Sequence, residues 1–209
     1  VIPVYNEKAT VARLVERVLG VAGLDREIIL VDDGSTDGTR EVLDGISRRH
    51  PPETLRVVRH EANAGKGAAV RTGIARARGD YVIFQDADLE LDPGEIPSLV
   101  AALGPDAPVV YGSRFLRPQA VPPLGRIANL VLTAATNLLY GARLTDMETC
   151  YKLCPREALL GLGLRSSRFD IEPEITCKLL RRGYRIREVP VTYRPRTEGK
   201  KIGWTDGVE

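Results

Sequence analysis

The sequence predicts an α/β fold with a mainly parallel sheet and helices on both of its faces. Short runs rich in Val and Ile alternate with longer stretches of helical period over residues 1–117. This alternation is typical of repeated β-α units, whose helices cover both sides of a parallel sheet. A polar cluster also follows each apolar run. Sheets of this kind bind ligands beyond the carboxyl ends of their strands, so the clusters indicate a binding edge.

Five strands are predicted in this part of the chain. In order, they are VIPV, EIILV, LRVVRH, YVIF and PVVY. The helices predicted after the first four are ATVARLVERVLGV, TREVLDGISRRH, GKGAAVRTGIARAR and PGEIPSLVAAL. The polar clusters at the strand ends are YNE, DDGSTDGT, NAGKG, DADLE and GSRF. Because parallel strands bring their carboxyl ends to the same edge, we expect all five clusters to line one rim.

The pattern changes from about residue 118. RPQAVPPLG is a Pro-rich loop, and residues 124–140 are predicted to form a helix with one polar stripe on an otherwise apolar surface. The stripe consists of Arg126, Asn129, Thr133, Thr136, Asn137 and Tyr140. Two interpretations of this helix stay open. It is a core or dimer helix, or it lies in a membrane interface.

The remaining elements are shorter. They are a strand TCYKLC, a helix over 156–162, a helix EPEITCKLLRRG, a strand RIREVPVTYRP and a basic terminal loop RTEGKKIGWTDG. The chain opens without Met inside a predicted strand, so we expect further residues before it.

Composition excludes some functions. The 209 residues are 43% hydrophobic, which is ordinary for a globular chain with a sizeable core. The 30 Lys and Arg residues against 28 Asp and Glu give a net charge of +2, which excludes a protein whose main task is to coat nucleic acid. The 3 cysteines are an odd number, so we predict structural thiols in a reducing compartment. The longest uncharged run, residues 127–142, is too short to span a bilayer.

Two aspartates, Asp86 and Asp88, end the fourth predicted strand. Alternate side chains of a strand point to the same side, so both carboxylates can reach one ion. With Glu90 nearby, they predict a hard-oxygen site for Mg²⁺ or Mn²⁺ that also binds substrate phosphates. Asp92 and Glu95 have a simpler interpretation as the cap and first turn of a helix. That interpretation does not account for the aspartate pair, which would repel each other without a cation.

Further candidate binding residues lie at the other strand ends. Asp32 and Asp33 are either turn and cap residues or acceptors for a nucleotide's ribose or base. Residues 63–67, NAGKG, lack both the Walker and the dinucleotide spacing, and they leave Lys66 at a helix N-terminus suited to an anion or a base. The cations Arg114, Arg126, Arg194, Arg196, Lys200 and Lys201 are either solvated surface charges or ligands of a diphosphate.

Taken together, these motifs resemble the family 2 glycosyltransferases. The matching segments are VIPVYNE, VDDGSTDGT, NAGKGAA, DADLE, GSRF, TDMETCYK, FDIEPEIT and YRPRTEGKKIGW, in the family's order. They are most similar to the dolichyl-phosphate or polyprenyl-phosphate mannose synthase subgroup. The resemblance implies a GT-A fold, a nucleoside-diphosphate-sugar donor and inversion by a single displacement. It further implies one domain over 1–209, with a nucleotide-sugar-binding half, 1–117, and an acceptor half with a closing loop, 118–209.

The resemblance also assigns roles to individual residues. Donor-binding residues would be Pro3, Tyr5, Glu7, Asp32, Asp33, Lys66 and Asp86, with Arg196, Lys200 and Lys201 in the closing loop. The metal ligands would be Asp86, Asp88 and Glu90. Arg114 and Arg126 would face the acceptor phosphate, and Asp146 would lie beside it. Asp88, Arg114 and Asp146 are the predicted catalytic residues.

The predicted reaction is hexose transfer from GDP-mannose, or as a second choice UDP-glucose, to a dolichyl or polyprenyl phosphate. The protein would act at the cytoplasmic face of a membrane, with no nucleic-acid partner, and self-association is left open. A lipid phosphate is already an anion and needs no strong base. A hydroxyl acceptor would need one, with Asp146 chosen over Glu148 and Asp170. Two further alternatives are a D-x-D phosphohydrolase and a catalytically silent sugar-nucleotide-binding protein.

Overall fold

A computed structural model describes residues 1–196, and only the backbone of Leu124 within them. The strands are β1 (Ile2–Val4), β2 (Ile28–Asp32), β3 (Leu55–Arg59), β4 (Tyr81–Ile83), β5 (Val109–Ser113), β6 (Lys152–Pro155) and β7 (Ile186–Pro190). The α-helices are α1 (Val11–Leu19), α2 (Thr39–Ser47), α3 (Lys66–Arg76), α4 (Ile96–Ala101), α5 (Pro123–Tyr140), α6 (Arg156–Gly161) and α7 (Ile171–Arg181). A 3₁₀ turn, Pro93–Glu95, precedes α4.

The strands form one mixed sheet. Strands β1, β2 and β3 pair in parallel, and β4, β6, β5 and β7 pair in that order. The Val1 nitrogen donates to the Ile83 carbonyl at 2.8 Å and the Gln85 nitrogen donates to the Val1 carbonyl at 3.0 Å, which is the pattern of a parallel ladder between β1 and β4. The strand order across the described chain is therefore β3-β2-β1-β4-β6-β5-β7.

Strand β2 explains why helices cover both faces. All five of its residues are buried, and successive side chains point to opposite sides. Ile29 and Val31 join a core with α3, α4, α6 and α7. Ile28 and Leu30 join a second core with α1 and α2. A continuous apolar strand thus supports two layers of helices, as the sequence predicted.

Strand β6 departs from the parallel pattern. It runs antiparallel to both neighbours, β4 and β5, and lies between them in the sheet. The sequence predicted this strand but not its direction, because an apolar strand pattern is the same in either direction. The predicted mainly parallel α/β architecture is confirmed, with β6 as the antiparallel exception among the described strands.

Helix α5 has an inverted arrangement of polarity. Three residues of its predicted polar stripe, Asn129, Thr133 and Thr136, are buried. Its apolar side chains are exposed instead, and they are Ile127, Leu130, Val131, Leu132, Leu138 and Leu139. Within residues 1–196, no helix has the length and apolar character needed to cross a bilayer. The helix therefore turns its polar face to the protein and its apolar face to the surroundings.

The polar face of α5 holds the segment 144–148. Asn137 exchanges two hydrogen bonds of 2.8 Å with the backbone of Leu144. Asn129 donates to the Thr145 carbonyl at 3.1 Å and accepts from the Glu148 nitrogen at 3.2 Å. These amides supply the partners that buried backbone groups of the segment require. The position of the segment therefore depends on α5.

We expect Gly112→Ala to destabilise the fold, because a Cβ on this residue of β5 would lie 2.7 Å from Val191 Cγ1 and 2.9 Å from Tyr151 Cβ. Overpacking of this kind costs roughly 1–3 kcal/mol. The melting temperature should fall by several degrees. The matched control is Gly125→Ala in α5, where a Cβ meets nothing within 4 Å. Equal melting temperatures for the two variants would contradict the close packing around β5.

Candidate active site

The first two loops of the rim are joined by hydrogen bonds. The Asn6 nitrogen donates to Ser35 Oγ at 3.0 Å, and the Thr36 nitrogen donates to Asn6 Oδ1 at 2.8 Å. The Glu7 nitrogen donates to Thr39 Oγ1 at 2.9 Å. Asn6 adopts a φ of 51°, a left-handed conformation that a non-glycine residue keeps only where its surroundings hold it. The first loop is therefore fixed against the second.

Asp32 holds the second loop to α2. Its carboxylate is buried, accepts from the Ser35 nitrogen at 3.0 Å and pairs with Arg40 Nε at 2.9 Å. These contacts are those of a turn residue, which is one of the two interpretations that the sequence left open for Asp32. A contact with the donor stays a prediction for Asp32.

Asp33 connects the second loop to the third. It accepts from the backbone nitrogens of Ala64 at 3.0 Å and Gly65 at 2.8 Å. His60 Nδ1 lies 2.7 Å from Asp33 Oδ1, and His60 Nε2 lies 2.9 Å from Thr72 Oγ1. No sequence motif marks His60, because a single imidazole after a strand has no characteristic spacing. Asp33 thus fixes the N-terminus of α3, and its predicted donor contact stays a prediction.

Asp86 and Asp88 lie in the turn that follows β4. The sequence placed them on the strand, but the strand ends at Ile83. Their side chains are 29% and 18% exposed, respectively. Burial, followed by the charge of the neighbouring Asp86, raises the pKa of Asp88 to about 7. Burial and the charge of Asp86 therefore both disfavour a negative charge on Asp88.

The role of Glu90 as a third metal ligand stays a prediction. Within residues 1–196, no group of three or more His, Cys, Asp or Glu side chains gathers in a way that could hold an ion. Glu90 instead accepts from the Arg196 nitrogen at 2.9 Å, and its carbonyl accepts from the Arg194 nitrogen at 2.8 Å. The residue docks the end of the described chain beside the site.

Arg196 reaches back across the rim. Its Nη2 lies 2.6 Å from Glu7 Oε1 and 3.6 Å from Asp88 Oδ2. The segment that carries it is held further back by Glu95, which accepts from the Thr192 nitrogen at 2.8 Å. The predicted closing-loop residues Lys200 and Lys201 lie outside the described residues. A role of Arg196 in closing over the donor stays a prediction.

Lys66 connects the third loop to the fourth. Its Nζ lies 2.9 Å from Asp86 Oδ1 and 3.0 Å from Glu172 Oε1. Burial alone would lower the pKa of Lys66, but the charges of these two carboxylates outweigh it and raise the pKa well above its usual value. The ammonium is therefore charged and shared between two carboxylates. The sequence assigned Lys66 to the donor and gave no sign of the pairing with Glu172.

Arg114 and Asp146 form a buried two-pronged ion pair. Arg114 Nε and Nη2 donate to the two carboxylate oxygens of Asp146, each at 2.7 Å, and the Arg114 backbone nitrogen donates at 2.9 Å. Asp146 is completely buried, and Glu188 accepts from its backbone nitrogen at 3.0 Å. Burial would lower the pKa of Arg114, but Asp146 outweighs it and raises the pKa. This geometry suits an Asp146 that orients Arg114 better than one that removes a proton.

The other predicted residues lie at the margins of this group. Pro3 is buried within β1, paired with Val31 of β2. Tyr5 is half-buried in the first loop. Arg126 is exposed in the first turn of α5 and takes part in none of the ion pairs among residues 1–196. All three cysteines are free thiols, and Cys150 and Cys154 are buried as predicted.

Comparison with known proteins identifies the family. Residues 1–162 match the family described as Glycosyl transferase family 2. The chain belongs to this family. The predicted resemblance is confirmed, and the chain contains a glycosyltransferase domain.

Relatives of this glycosyltransferase domain include polyprenyl-phosphate enzymes. Glycosyltransferase AglJ of Haloferax volcanii is 31% identical, covering 94% of this chain and 63% of that protein. A dolichol-phosphate mannosyltransferase of Pyrococcus furiosus is 30% identical, covering 98% and 59%. An undecaprenyl-phosphate 4-deoxy-4-formamido-L-arabinose transferase of Pseudomonas aeruginosa is 35% identical, covering 80% and 50%. The chain thus spans between half and two thirds of the length of these relatives.

Solved structures confirm the GT-A fold of the domain. Glucosyl-3-phosphoglycerate synthase of Mycobacterium tuberculosis, in complex with uridine diphosphate, has a TM-score of 0.73 at 25% identity, covering 96% of this chain and 72% of that one. A mannosyltransferase of Pyrobaculum calidifontis, in complex with GDP-Man and Mn²⁺, has a TM-score of 0.66 at 23% identity, covering 90% and 53%. At 23% identity, the similarity to the mannosyltransferase shows a shared fold and nothing more.

The aspartate pair fits a divalent cation. Mg²⁺ commonly binds through one or two carboxylates and takes its other ligands from water and substrate phosphates. Asp86 and Asp88 supply two partly exposed carboxylates whose mutual repulsion a cation would relieve. The two carboxylates are therefore a donor set suited to Mg²⁺ or Mn²⁺, and the identity of the metal ligands stays a prediction.

We expect Asp88→Asn to weaken Mn²⁺ binding by at least about tenfold, which corresponds to roughly 1.4 kcal/mol. The change removes one charged ligand from the pair. Glu90→Gln should leave the Mn²⁺ affinity within about twofold, because Glu90 contacts the 194–196 segment instead. Titration of free Mn²⁺ by electron paramagnetic resonance measures both affinities. An equal loss of Mn²⁺ affinity in Glu90→Gln would show that Glu90 is also a metal ligand.

Proposed function

We propose that this domain transfers a hexose from a nucleoside diphosphate sugar to a polyprenyl phosphate at a membrane surface. The observation that carries the proposal is the inverted helix α5. Its apolar side is exposed, and its polar side holds the segment that contains Asp146, the partner of Arg114. A lipid-facing surface and an anion-binding arginine are thus connected through one helix. The names of the polyprenyl-phosphate relatives support the same acceptor class.

The donor would bind at the acidic part of the rim. Asp86 and Asp88 would hold a divalent ion, which supplies charge stabilisation for the departing nucleoside diphosphate. Lys66 lies at the N-terminus of α3, where backbone N–H groups and a cation favour an anion. Arg196 lies close to Asp88 and would close over the donor. Mannose is the first choice of sugar and glucose the second, with GDP-mannose and UDP-glucose as the corresponding donors.

The acceptor phosphate would bind to Arg114. Asp146 fixes the guanidinium plane through two parallel hydrogen bonds, a geometry that preserves charge and direction. A phosphate oxygen then attacks the anomeric carbon, the bond from that carbon to the diphosphate breaks, and the nucleoside diphosphate leaves. Because the phosphate is already an anion, no proton has to be removed. The occupied carboxylate of Asp146 favours this acceptor over a hydroxyl.

The membrane would contact the outer face of α5. Helices that lie in an interface bury one apolar face and place cations toward anionic head groups. The exposed Leu130, Leu138 and Leu139 supply such a face, and the exposed Arg126 and Arg143 lie near the two ends of the helix. A peripheral position at the cytoplasmic face follows as part of the proposal.

We expect donor nucleotides to raise the melting temperature of the domain in the presence of Mn²⁺, because ligands that bind only the folded state stabilise it. A panel of GDP, UDP, GDP-mannose and UDP-glucose, each with and without Mn²⁺, identifies the base and the sugar. No shift with any nucleotide would overturn the donor assignment. Hydrolysis of a simple phosphate ester would instead favour a phosphohydrolase, and nucleotide binding without transfer would favour a silent binding protein.

We expect the double substitution of Leu130→Glu and Leu138→Glu to reduce binding to anionic lipid vesicles by at least about tenfold, because each exposed leucine contributes roughly 1 kcal/mol or more when buried in lipid. Vesicle sedimentation measures the binding. Leu160→Glu, at an exposed leucine of α6, is the matched control. Transfer to a short, water-soluble prenyl phosphate should be retained. Unchanged vesicle binding would contradict lipid contact by the apolar face of α5. Self-association would then be the remaining interpretation of that face.

A further inference from the structure

The divalent-ion site has a second carboxylate behind it. Lys66 Nζ contacts Asp86 at 2.9 Å and Glu172 at 3.0 Å, so one ammonium is divided between the pair that faces the donor and a residue of α7. The Glu172 side chain is only 6% exposed, whereas that of Asp86 is 29% exposed. Glu172 is therefore too enclosed to bind the ion itself, yet it competes for the cation that partly neutralises Asp86.

Glu172 has a second partner that limits its hold on Lys66. Lys152 Nζ forms an ion pair with Glu172 Oε2 at 2.8 Å and is completely buried. The same ammonium donates to the Met147 carbonyl at 2.8 Å and to the Thr149 carbonyl, so its position is fixed from two sides. Burial would raise the pKa of Glu172, but the charges of Lys152 and Lys66 outweigh it and lower the pKa. The three groups thus form a charged row, Lys152, Glu172 and Lys66, that ends at Asp86.

We propose that Glu172 is a positioning residue that sets the affinity of Asp86 for the divalent ion by competing with Asp86 for Lys66. The proposal rests on the proposed metal site. When Glu172 draws the ammonium toward itself, Asp86 keeps more of its negative charge for the ion. When Lys152 neutralises Glu172, the ammonium stays closer to Asp86 and opposes the ion.

The proposal predicts that removing the charge of Glu172 and removing the charge of Lys152 change the Mn²⁺ affinity in opposite directions. Glu172→Gln keeps the shape of the side chain but removes its charge, so Lys66 pairs with Asp86 alone and Mn²⁺ binds more weakly, by roughly threefold to tenfold. Lys152→Met removes the competing cation and strengthens the hold of Glu172 on Lys66, so Mn²⁺ binds more tightly. Lys66→Met removes the ammonium itself and also tightens binding.

A direct electric field from Glu172 or Lys152 would produce the same two signs, so the test requires a double-mutant cycle. In the Lys66→Met background, our proposal expects Glu172→Gln and Lys152→Met to leave the Mn²⁺ affinity nearly unchanged, because no ammonium remains to be shared. A direct field would act with equal strength in both backgrounds. Effects that persist after removal of Lys66 overturn the proposal.

The measurement is Mn²⁺ binding by electron paramagnetic resonance on the whole chain, which needs no turnover. Thermal unfolding is recorded for each variant, because a buried charge that loses its partner destabilises the fold. If Glu172→Gln does not fold, the double-mutant cycle of Lys152→Met and Lys66→Met tests the same dependence on Lys66. Absence of Mn²⁺ binding in the unsubstituted protein overturns the proposed metal site. If the unsubstituted protein binds Mn²⁺ and Glu172→Gln binds it with the same affinity, only the proposed role of Glu172 is overturned.

Discussion

The rest of the structure depends on the neutralisation of carboxylates where the strands end. Five carboxylates lie around these strand ends, and three of them, Glu7, Asp146 and Glu172, are buried, whereas Asp86 and Asp88 are partly exposed. Buried charges are tolerated only with partners, so each carboxylate fixes a cation from another element. Lys66 joins the third loop, the fourth loop and α7, and Arg196 joins the first loop to the fourth. The loops therefore support one another in part through charge.

The same requirement explains the inverted polarity of α5. The segment 144–149 has to place Asp146 against Arg114, and its backbone groups are buried in doing so. Asn129 and Asn137 provide the partners, which obliges α5 to turn its polar side inward. Its leucines then face outward as a contiguous apolar surface. Surfaces of this kind mark contact sites in most proteins, so the position of Arg114 and the exposure of the leucines have one cause.

Much of the fold could be predicted because it depends on local pattern. The β-α alternation, the buried strands and the cap at Asp92, which accepts from the Gly94 nitrogen at 2.9 Å, are properties of short segments. The contacts that local pattern does not show join partners far apart in sequence. Glu172 is an acidic residue in the first turn of α7, and its contacts with Lys66 and Lys152 follow only from the fold. The contact of Glu90 with the 194–196 segment likewise follows only from the fold.

The two halves of the rim are not independent. Lys152 binds Glu172, which is the partner of Lys66, and the carbonyls of Met147 and Thr149 beside Asp146. One buried ammonium therefore connects the surroundings of Lys66 with those of Asp146. On the outer side, the Tyr193 ring lies 5.5 Å from the Arg114 guanidinium, and burial, followed by the charge of Glu90, raises the pKa of Tyr193. A displacement of either half must therefore disturb the other through two separate contacts. Under the proposed function, this arrangement would position the donor and the acceptor phosphate together, because ordering one side reduces the cost of ordering the other.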